Sequence, residues 1–350
     1  MQKEVGTMSK QESLMEKATN VIAAEQFSGA VYVKQAGNVL IEQAFGFADR
    51  SEERLNTIDT RFGIASGCKL FTSIAVCQLV EKGVLSFHTR LKDCLEISFP
   101  HFDERVTIHQ LLTHSSGIPD YFDEETMDDF EELWKQTPMY LLRDLKKFLP
   151  LFQKGIMEFK PGEKFHYNNA GYIVLGLIIE QQTGQSFTDY VEENIFRPTE
   201  MNNTGYFSLD QLPRNTANGY IQTNDGTWRT NIYSIPVRGG ADGGAFTTAR
   251  DMNKLWEALI GHRLLSKEMT EKLLTPHVQV KERVEYGYGV WINRSGNNVF
   301  KYHVMGYDPG VSFHSAYYPA TGTVLVIPSN QASGPSKVMK AIEGELLGSH

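Results

Sequence analysis

Strand-like segments occur at both ends of this 350-residue chain, and a long stretch of helical and polar sequence separates them. Near the N-terminus, GAVYVKQ and NVLIEQAFGFA alternate apolar and polar residues around an Ala-Gly turn, which predicts a β-hairpin. Near the C-terminus, further strands are predicted for YGYGVWI, NVFKYHV, SFHSAYYP and GTVLVIPSN. We therefore expect one antiparallel sheet assembled from both ends of the chain, with an insertion between its halves.

Helical periodicity surrounds these strands and fills the insertion. Residues 8–26 place apolar side chains at helical spacing, namely Leu14, Ala18, Val21 and Ile22. Residues 69–82 repeat the pattern and end at Gly83, a typical helix C-cap, and residues 335–347 predict a closing helix. Helical patterns joined by polar loops continue to about residue 235. The sequence thus predicts an α+β fold, with an antiparallel sheet flanked by terminal helices and a mainly helical domain inserted into it.

Charge and composition exclude several classes of function. A formal net charge of -8 and a pI near 5.7 argue against non-specific nucleic-acid binding, which needs clustered Lys and Arg. The three cysteines, Cys68, Cys77 and Cys94, form no CxxC pair and no zinc-site spacing. We therefore expect neither a disulfide scaffold nor a metal site, and no cofactor.

The apolar segments are short. The longest run, residues 170–179, cannot span a bilayer, and the first twenty residues lack an apolar stretch of signal-peptide length. We expect a cytoplasmic protein with no membrane span, or an extracytoplasmic one if a leader has been removed.

The segment RFGIASGCKLFTS carries the first chemical motif. Ser66 and Lys69 form an SxxK spacing at the start of a predicted helix, so one helical turn places them on the same face. A serine hydroxyl is a weak nucleophile without a neighbouring base, and the N–H groups of a helix N-terminus can stabilise developing negative charge. This spacing arises often by chance, so the motif needs a partner.

The segment PGEKFHYNNAGYIVLGLIIE supplies that partner. Tyr167 and Asn169 form a YxN spacing just before a strongly apolar helix, so both project from one loop. A phenol can shuttle a proton to a leaving group, and a carboxamide can orient a substrate amide and a lysine.

These segments, in this order, resemble the serine β-lactamase-related family, together with TIHQLLTHSSGIPDY, GGADGGAFTTARDM, YGYGVW and YDPG. The resemblance spans residues 28–330 and is greatest for the branch of class C β-lactamases, penicillin-binding D-alanyl-D-alanine carboxypeptidases, D-amino-acid peptidases and esterases. It implies a β-lactamase/transpeptidase-like fold with the active site between two domains. We place the discontinuous α/β domain at residues 1–64 and 236–350, and the mainly helical domain at 65–235.

The resemblance also implies residue roles. Ser66 would be the nucleophile, Lys69 its activating partner, Tyr167 a proton relay and Asn169 a contact to substrate and lysine. The base in such enzymes is disputed. The oxyanion hole would combine the backbone N–H of Ser66 with one from a late strand.

The third motif of the family is altered here. Members carry Lys-Thr-Gly, or His with Thr or Gly and then Gly, shortly before a Pro-Gly. Here Val304, Met305 and Gly306 occupy those positions, and His303 lies one residue too early, on the opposite strand face unless a bulge intervenes. We expect weak recognition of substrate carboxylates, and count Met305, Gly306, Tyr307 and His303 as candidate substrate contacts with Asn169.

Several other features favour ordinary structural roles. His114 invites pairing with a neighbouring serine, but no GxSxG elbow surrounds it, and the glycine-rich residues 238–244 lack the Lys-Ser or Lys-Thr of a phosphate loop. Cys68 points away from Ser66 on a helix. The acidic cluster of residues 123–125 with Asp128 and Asp129 is typical of a solvated face.

The sequence therefore predicts a cofactor-free serine hydrolase that forms an acyl-enzyme on Ser66 with a small ester or a D-amino-acid amide. Its expected partner is a small-molecule substrate, an ester, a peptide or a β-lactam. Two alternatives stay open. One is a penicillin-binding D,D-carboxypeptidase or weak β-lactamase; the other is a catalytically silent ligand-binding or sensor protein on the same fold.

Overall fold

The computed structural model describes residues 10–127 and 129–347, and its main element is an eight-stranded antiparallel sheet. Fourteen strands occur in this part of the chain, in chain order: β1 (Gly29–Gln35), β2 (Asn38–Phe45), β3 (Phe47–Asp49), β4 (Arg54–Leu55), β5 (Phe62–Gly63), β6 (Tyr220–Gln222), β7 (Trp228–Thr230), β8 (Phe246–Thr247), β9 (Val278–Lys281), β10 (Val284–Tyr286), β11 (Trp291–Ser295), β12 (Asn298–Asp308), β13 (Val311–Tyr318) and β14 (Thr323–Ser329). The main sheet has the order β2-β1-β14-β13-β12-β11-β10-β9, and the other strands form three small pairs.

Ten α-helices lie in the described residues: α1 (Lys10–Ala24), α2 (Lys69–Glu81), α3 (Leu91–Cys94), α4 (Ile108–Leu112), α5 (Leu149–Phe152), α6 (Asn169–Thr183), α7 (Phe187–Val191), α8 (Ala249–Ile260), α9 (Lys267–Leu274) and α10 (Pro335–Leu346). Short 3-10 turns connect several of them, and the one that matters for the site is 65–68, directly before α2.

The pairing of β1 with β14 confirms that the early hairpin joins the late strands. Gly29 lies opposite Ser329 and Gln35 opposite Thr323, so this antiparallel ladder connects the two ends of the chain. In the β1–β2 hairpin, residues 36 and 37 both have positive φ, as a tight two-residue turn between twisted strands requires.

Two apolar cores lie on opposite faces of the sheet. Helices α1 and α10 cover one face, where Leu14 and Ile342 pack with Val31 and Ile327. The other face, including Phe313, packs against α2, α6 and α8 in the larger core. Since this core contains residues of the sheet and of the helices between its halves, it fixes both relative to each other.

Most predicted elements are present with small shifts at their ends. The first helix begins at Lys10, and residues 8 and 9 of the prediction lie outside the described residues. The prediction of one strand over YGYGVWI was wrong. Tyr286 ends β10 and Trp291 begins β11, because Gly289 adopts φ +70° and turns the chain between them. The domain limits at residues 64 and 235 stay a prediction.

Candidate active site

Ser66 lies in the 3-10 turn before α2, with strained backbone beside it. The preceding residue, Ala65, has φ +43°, a left-handed conformation that costs energy in a residue with a Cβ. The turn continues into α2 at Lys69, so the SxxK spacing spans one turn as the sequence predicts. The strained residue is therefore the first residue of the turn 65–68, which carries Ser66 and is called the nucleophile turn below.

Lys69 is buried and connects three parts of the chain. Its Nζ donates to Ser66 Oγ at 2.9 Å, to Asn169 Oδ1 at 2.8 Å and to the carbonyl oxygen of Asp242 at 2.7 Å. Only 2% of the surface of Lys69 is exposed to solvent. Three acceptors match the three donors of an ammonium group, so this geometry holds the amine beside the serine hydroxyl.

Asn169 begins α6 and is held by the loop before α5. Its Oδ1 faces Lys69, while its Nδ2 donates to the carbonyl oxygen of Phe122 at 3.2 Å. Asp120 accepts the backbone N–H of Asn169 at 2.7 Å and of Ala170 at 2.8 Å, and so caps the positive end of the helix. The carboxamide orientation is therefore fixed from both sides.

Tyr167 is a half-buried phenol at the edge of the site. Its ring stacks on Trp291, with centroids 6.1 Å apart, and Lys69 Nζ lies 4.9 Å from its centroid. Burial raises the pKa of Tyr167 well above its usual value and the charge of Glu124 adds to this, while an interaction with the Ser66 side chain opposes it. The phenol is therefore neutral near pH 7 and can donate a proton.

Strand β12 runs beside the nucleophile turn, and Gly306 makes this approach possible. A Cβ on Gly306 would lie 2.1 Å from the carbonyl oxygen of Ile64 and 2.8 Å from the backbone nitrogen of Ser66. Any larger residue would push the strand away from the serine.

The hairpin from β12 to β13 sets the direction of the next N–H. The strands are joined by the two-residue turn 309–310, so Asp308 and Val311 form a hydrogen-bonded pair. Because bonded and non-bonded pairs alternate, the N–H of Tyr307 points away from β13, toward the edge that faces Ser66. The backbone N–H groups of Ser66 and Tyr307 thus form a candidate oxyanion hole.

The structure does not bring His303 or Met305 into the cavity beside Ser66. No bulge moves His303, since β12 pairs with β13 in unbroken register from residue 302 to 308. Its Nε2 instead lies 2.7 Å from Asn293 Oδ1, and burial lowers its pKa well below the usual value. Val304 is buried in the larger core. Of the altered motif, only Gly306 and Tyr307 reach the serine.

A cavity of about 410 Å³ opens in front of Ser66. Apolar side chains form much of its wall, and they include Phe122, Phe130, Phe148, Phe207 and Phe246. Charged side chains among the lining residues are all acidic: Glu124, Asp129, Asp242 and Asp308. This size suits a small organic substrate, and the aromatic walls suit an apolar portion of it.

The Asp242 loop and His114 are positioning features for which the sequence favoured only structural roles. The close glycine packing predicted for residues 238–244 is present, because a Cβ on Gly239 would lie 2.4 Å from the Gly244 carbonyl carbon. This packing brings the Asp242 carbonyl to Lys69, and its carboxylate accepts the hydroxyl of Tyr121.

His114 supports the YxN loop and does not activate a serine. Its Nδ1 accepts the backbone N–H of Asn168 at 3.0 Å, so its Nε2 carries the proton and donates to Tyr286 Oη at 3.1 Å. The ring also lies 4.3 Å from that of Tyr167. Burial lowers the pKa of His114 well below its usual value, so the imidazole is neutral.

The remaining candidates lie outside the chemistry of the site. Cys68, Cys77 and Cys94 are buried and unpaired, and burial raises the pKa of Cys68 to about 12. In residues 10–127 and 129–347, no three His, Cys, Asp or Glu side chains are arranged to hold a metal ion. No helix in the same residues is long and apolar enough to cross a membrane. Asp128 of the acidic cluster lies outside the described residues.

The sequence profile of the family described as Beta-lactamase matches residues 16–348. The chain belongs to this family. A penicillin-binding protein from Bacillus halodurans has a solved structure that is 55% identical, with a TM-score of 0.91 over 93% of this chain and 99% of that one. Penicillin-binding protein 4* of Bacillus subtilis (strain 168) is 29% identical over 92% of this chain and 73% of its own length.

More distant structures share the fold. The D-amino acid amidase of Ochrobactrum anthropi SV3, solved with D-phenylalanine, has a TM-score of 0.77 at 20% identity, over 96% of this chain and 99% of that one. Membership in the Beta-lactamase family confirms the predicted β-lactamase/transpeptidase-like fold, and with it the predicted class, a penicillin-binding-protein-like serine hydrolase.

Proposed function

We propose that Ser66 is the nucleophile of an acyl-transfer reaction in which a small ester or amide forms an acyl-enzyme that water then hydrolyses. The observation that carries this proposal is the position of Lys69 Nζ, 2.9 Å from the Oγ of Ser66, which itself lines a cavity. An activated hydroxyl beside two converging N–H groups is the minimum apparatus for attack on a carbonyl.

The steps follow from the positions of the groups. Ser66 Oγ bonds to the carbonyl carbon and its proton passes to Lys69, which in this step is a neutral amine whose nitrogen accepts from the serine hydroxyl across the same 2.9 Å contact. The carbonyl oxygen becomes an oxyanion, which the N–H groups of Ser66 and Tyr307 stabilise. Tyr167, a neutral phenol, donates its proton to the departing alcohol or amine and regains one from Lys69. In the second half, a water attacks the ester on Ser66 and the same proton path runs in reverse.

The altered third motif directs the substrate prediction. In relatives that carry the motif, a cation and a hydroxyl hold the substrate carboxylate, and the buried Val304 and the displaced His303 provide neither here. We therefore infer a small ester or D-amino-acid amide as substrate, and slow or no turnover of penicillins. A cytoplasmic location remains the hypothesis that the N-terminal sequence favours.

The test measures turnover and covalent mass together. The protein is incubated with p-nitrophenyl acetate, p-nitrophenyl butyrate and a penicillin, and nitrophenol release and intact mass are recorded. Wild type should hydrolyse the esters and show an acyl adduct, and Ser66→Ala should lose both. Ser51→Ala, which removes an exposed serine hydroxyl remote from the cavity, is the matched control and should behave as wild type.

The other outcomes separate the alternatives. Ester turnover that persists in Ser66→Ala overturns the mechanism. A stable penicilloyl adduct without turnover supports a penicillin-binding peptidase. It would show that the cavity recognises a substrate carboxylate, and so would contradict the substrate inference made above. Absence of turnover and of any adduct with every probe supports a ligand-binding or sensor protein. In that case Ser66, Lys69, Tyr167 and Asn169 bind a ligand without reacting with it.

A further inference from the structure

The cavity beside Ser66 combines a reactive end with a strongly acidic wall. Among the described residues that line it there is no Lys, Arg or His, whereas four carboxylates line it. Lys69 is buried and does not line the cavity, and its Nζ already donates to three acceptors of the chain. The charge that a substrate meets on entering is therefore negative.

Asp308 is the carboxylate in this wall that directly follows Tyr307, a residue of the candidate oxyanion hole. It is the last residue of β12. No side chain or backbone group of the described residues forms a hydrogen bond with its carboxylate oxygens. In contrast, the Asp242 carboxylate accepts the hydroxyl of Tyr121. Asp308 thus has acceptor capacity left for a ligand.

The backbone that carries Asp308 is firmly held. Asn231 Nδ2 donates to the carbonyl oxygen of Pro309 at 2.9 Å, and Gly310 at φ +73° packs against the backbone of Tyr220. A carboxylate on a rigid strand end loses little conformational freedom when it binds a partner.

Nearby charges make the site favourable for a cation. Burial raises the pKa of the Asp308 carboxyl to about 7; the negative charges of Asp242 and Glu124 add to this rise, and Lys69 opposes it. A positive group placed among these carboxylates would stabilise their charged forms. A substrate carboxylate would instead add another like charge.

We propose that Asp308 is a specificity-determining residue that selects acyl donors with an ammonium group close to the scissile carbonyl, and that the cavity rejects donors with a carboxylate there. The inference rests on the proposed acylation of Ser66 and deepens it by naming the substrate class. Glu124, at the exposed rim, adds to the attraction.

The experiment compares two benzyl esters that differ only in the substituent on the α-carbon, the carbon bonded to the carbonyl. Glycine benzyl ester carries an ammonium where benzyl propanoate carries a methyl group, so size and leaving group are matched and no stereocentre intervenes. Benzyl alcohol release is measured by chromatography near pH 7.5, and the result is the ratio of kcat/KM for the two esters. N-acetylglycine benzyl ester serves as the uncharged amide control.

The decisive comparison uses variants. Because the amino ester is intrinsically more reactive, the ratio in wild type is compared with the ratio in Asp308→Asn, where that reactivity cancels. We expect the ratio to fall at least about tenfold in Asp308→Asn, the loss typical of a charge-assisted contact. Glu282→Gln removes one exposed carboxylate far from the cavity and should leave the ratio unchanged.

Failure of this inference can be told apart from failure of the proposed function. Ser66-dependent turnover of benzyl propanoate with an unchanged ratio in Asp308→Asn overturns the ammonium selectivity alone. Faster turnover of the N-acetyl ester than of the glycine ester in wild type does the same. Absence of Ser66-dependent turnover for all three esters overturns both. Added salt should lower the glycine ester rate more than the propanoate rate, because salt screens the attraction.

Discussion

The two halves of the site differ in how completely their polar groups are paired. At the reactive half, every donor of Lys69 has an acceptor, and Asn169 is held from both sides. At the substrate half, the Asp308 carboxylate forms no hydrogen bond with the described residues, and the negative charges of Asp242 and Glu124 lie nearby. Paired buried groups keep one geometry, whereas unpaired ones await a partner. The groups proposed to carry out the reaction are therefore held in place before a substrate binds. The carboxylate proposed to select the substrate gains its partner only when the substrate binds.

The largest effect should follow from disrupting the paired half at its centre. Lys69→Ala removes the amine beside Ser66, and we expect kcat/KM for p-nitrophenyl butyrate to fall by about 10² to 10⁴, the range for loss of a general base. Circular dichroism should show a folded protein. Ester hydrolysis at the wild-type rate would refute the role assigned to Lys69.

Separating strand β12 from the turn of residues 65–68, which carries Ser66, should lower the rate of hydrolysis somewhat less. Gly306→Ala introduces a Cβ that would lie 2.1 Å from the Ile64 carbonyl oxygen, so the Tyr307 N–H must move out of line. We expect kcat to fall by about 10² to 10³, as for loss of one oxyanion donor. Gly296→Ala is the control. A Cβ there meets open space, and the residue lies in a turn with φ +58°, so this variant introduces backbone strain without a steric clash. Equal rates in the two variants would count against this oxyanion hole.

The support of the YxN loop can be tested through stability. His114→Phe keeps a planar ring but leaves the buried Asn168 N–H without its acceptor, so we expect a loss of about 1–3 kcal/mol in the free energy of unfolding. Urea denaturation measures this, with the exposed His101→Phe as control. If His114→Phe were as stable as wild type, the bond to Asn168 would have no structural weight.

The unpaired half should show the smallest effect, as a pH dependence of stability. Native Asp308 has a pKa of about 7 against an ordinary 3.8, so between these values the folded state binds more protons than the unfolded state. Its contribution therefore lowers stability as pH rises from about 4 to about 7. Asp308→Asn removes this loss, so it should stabilise the protein more at pH 8 than at pH 5.5, by on the order of 1 kcal/mol. Thermal unfolding at both pH values decides it, and an equal shift at each would contradict the assignment.

The sequence predicts what local spacing determines and misses what distant contacts determine. Ser66 and Lys69 are one helical turn apart, so their proximity could be inferred directly. The carbonyl of Asp242 could not be assigned to Lys69, because a backbone acceptor has no residue signature and 173 positions separate the two. The support from His114 was missed for the same reason, since its bond to Asn168 crosses 54 positions.

The altered third motif shows a middle case. Alternation along a strand was enough to predict that His303 would face away from the serine, and the unbroken register between β12 and β13 agrees. The acidic wall was not predicted, because Glu124, Asp242 and Asp308 come from three separate segments that converge only in the folded chain.

The contact between Gly306 and the nucleophile turn also has a consequence during synthesis. The Tyr307 N–H leaves the ribosome about 240 residues after Ser66, a delay on the order of tens of seconds. Strand β14, which joins the early hairpin to the sheet, follows later still. A nascent chain therefore carries its serine and lysine well before it can stabilise an oxyanion, so the unfinished polypeptide should be hydrolytically silent.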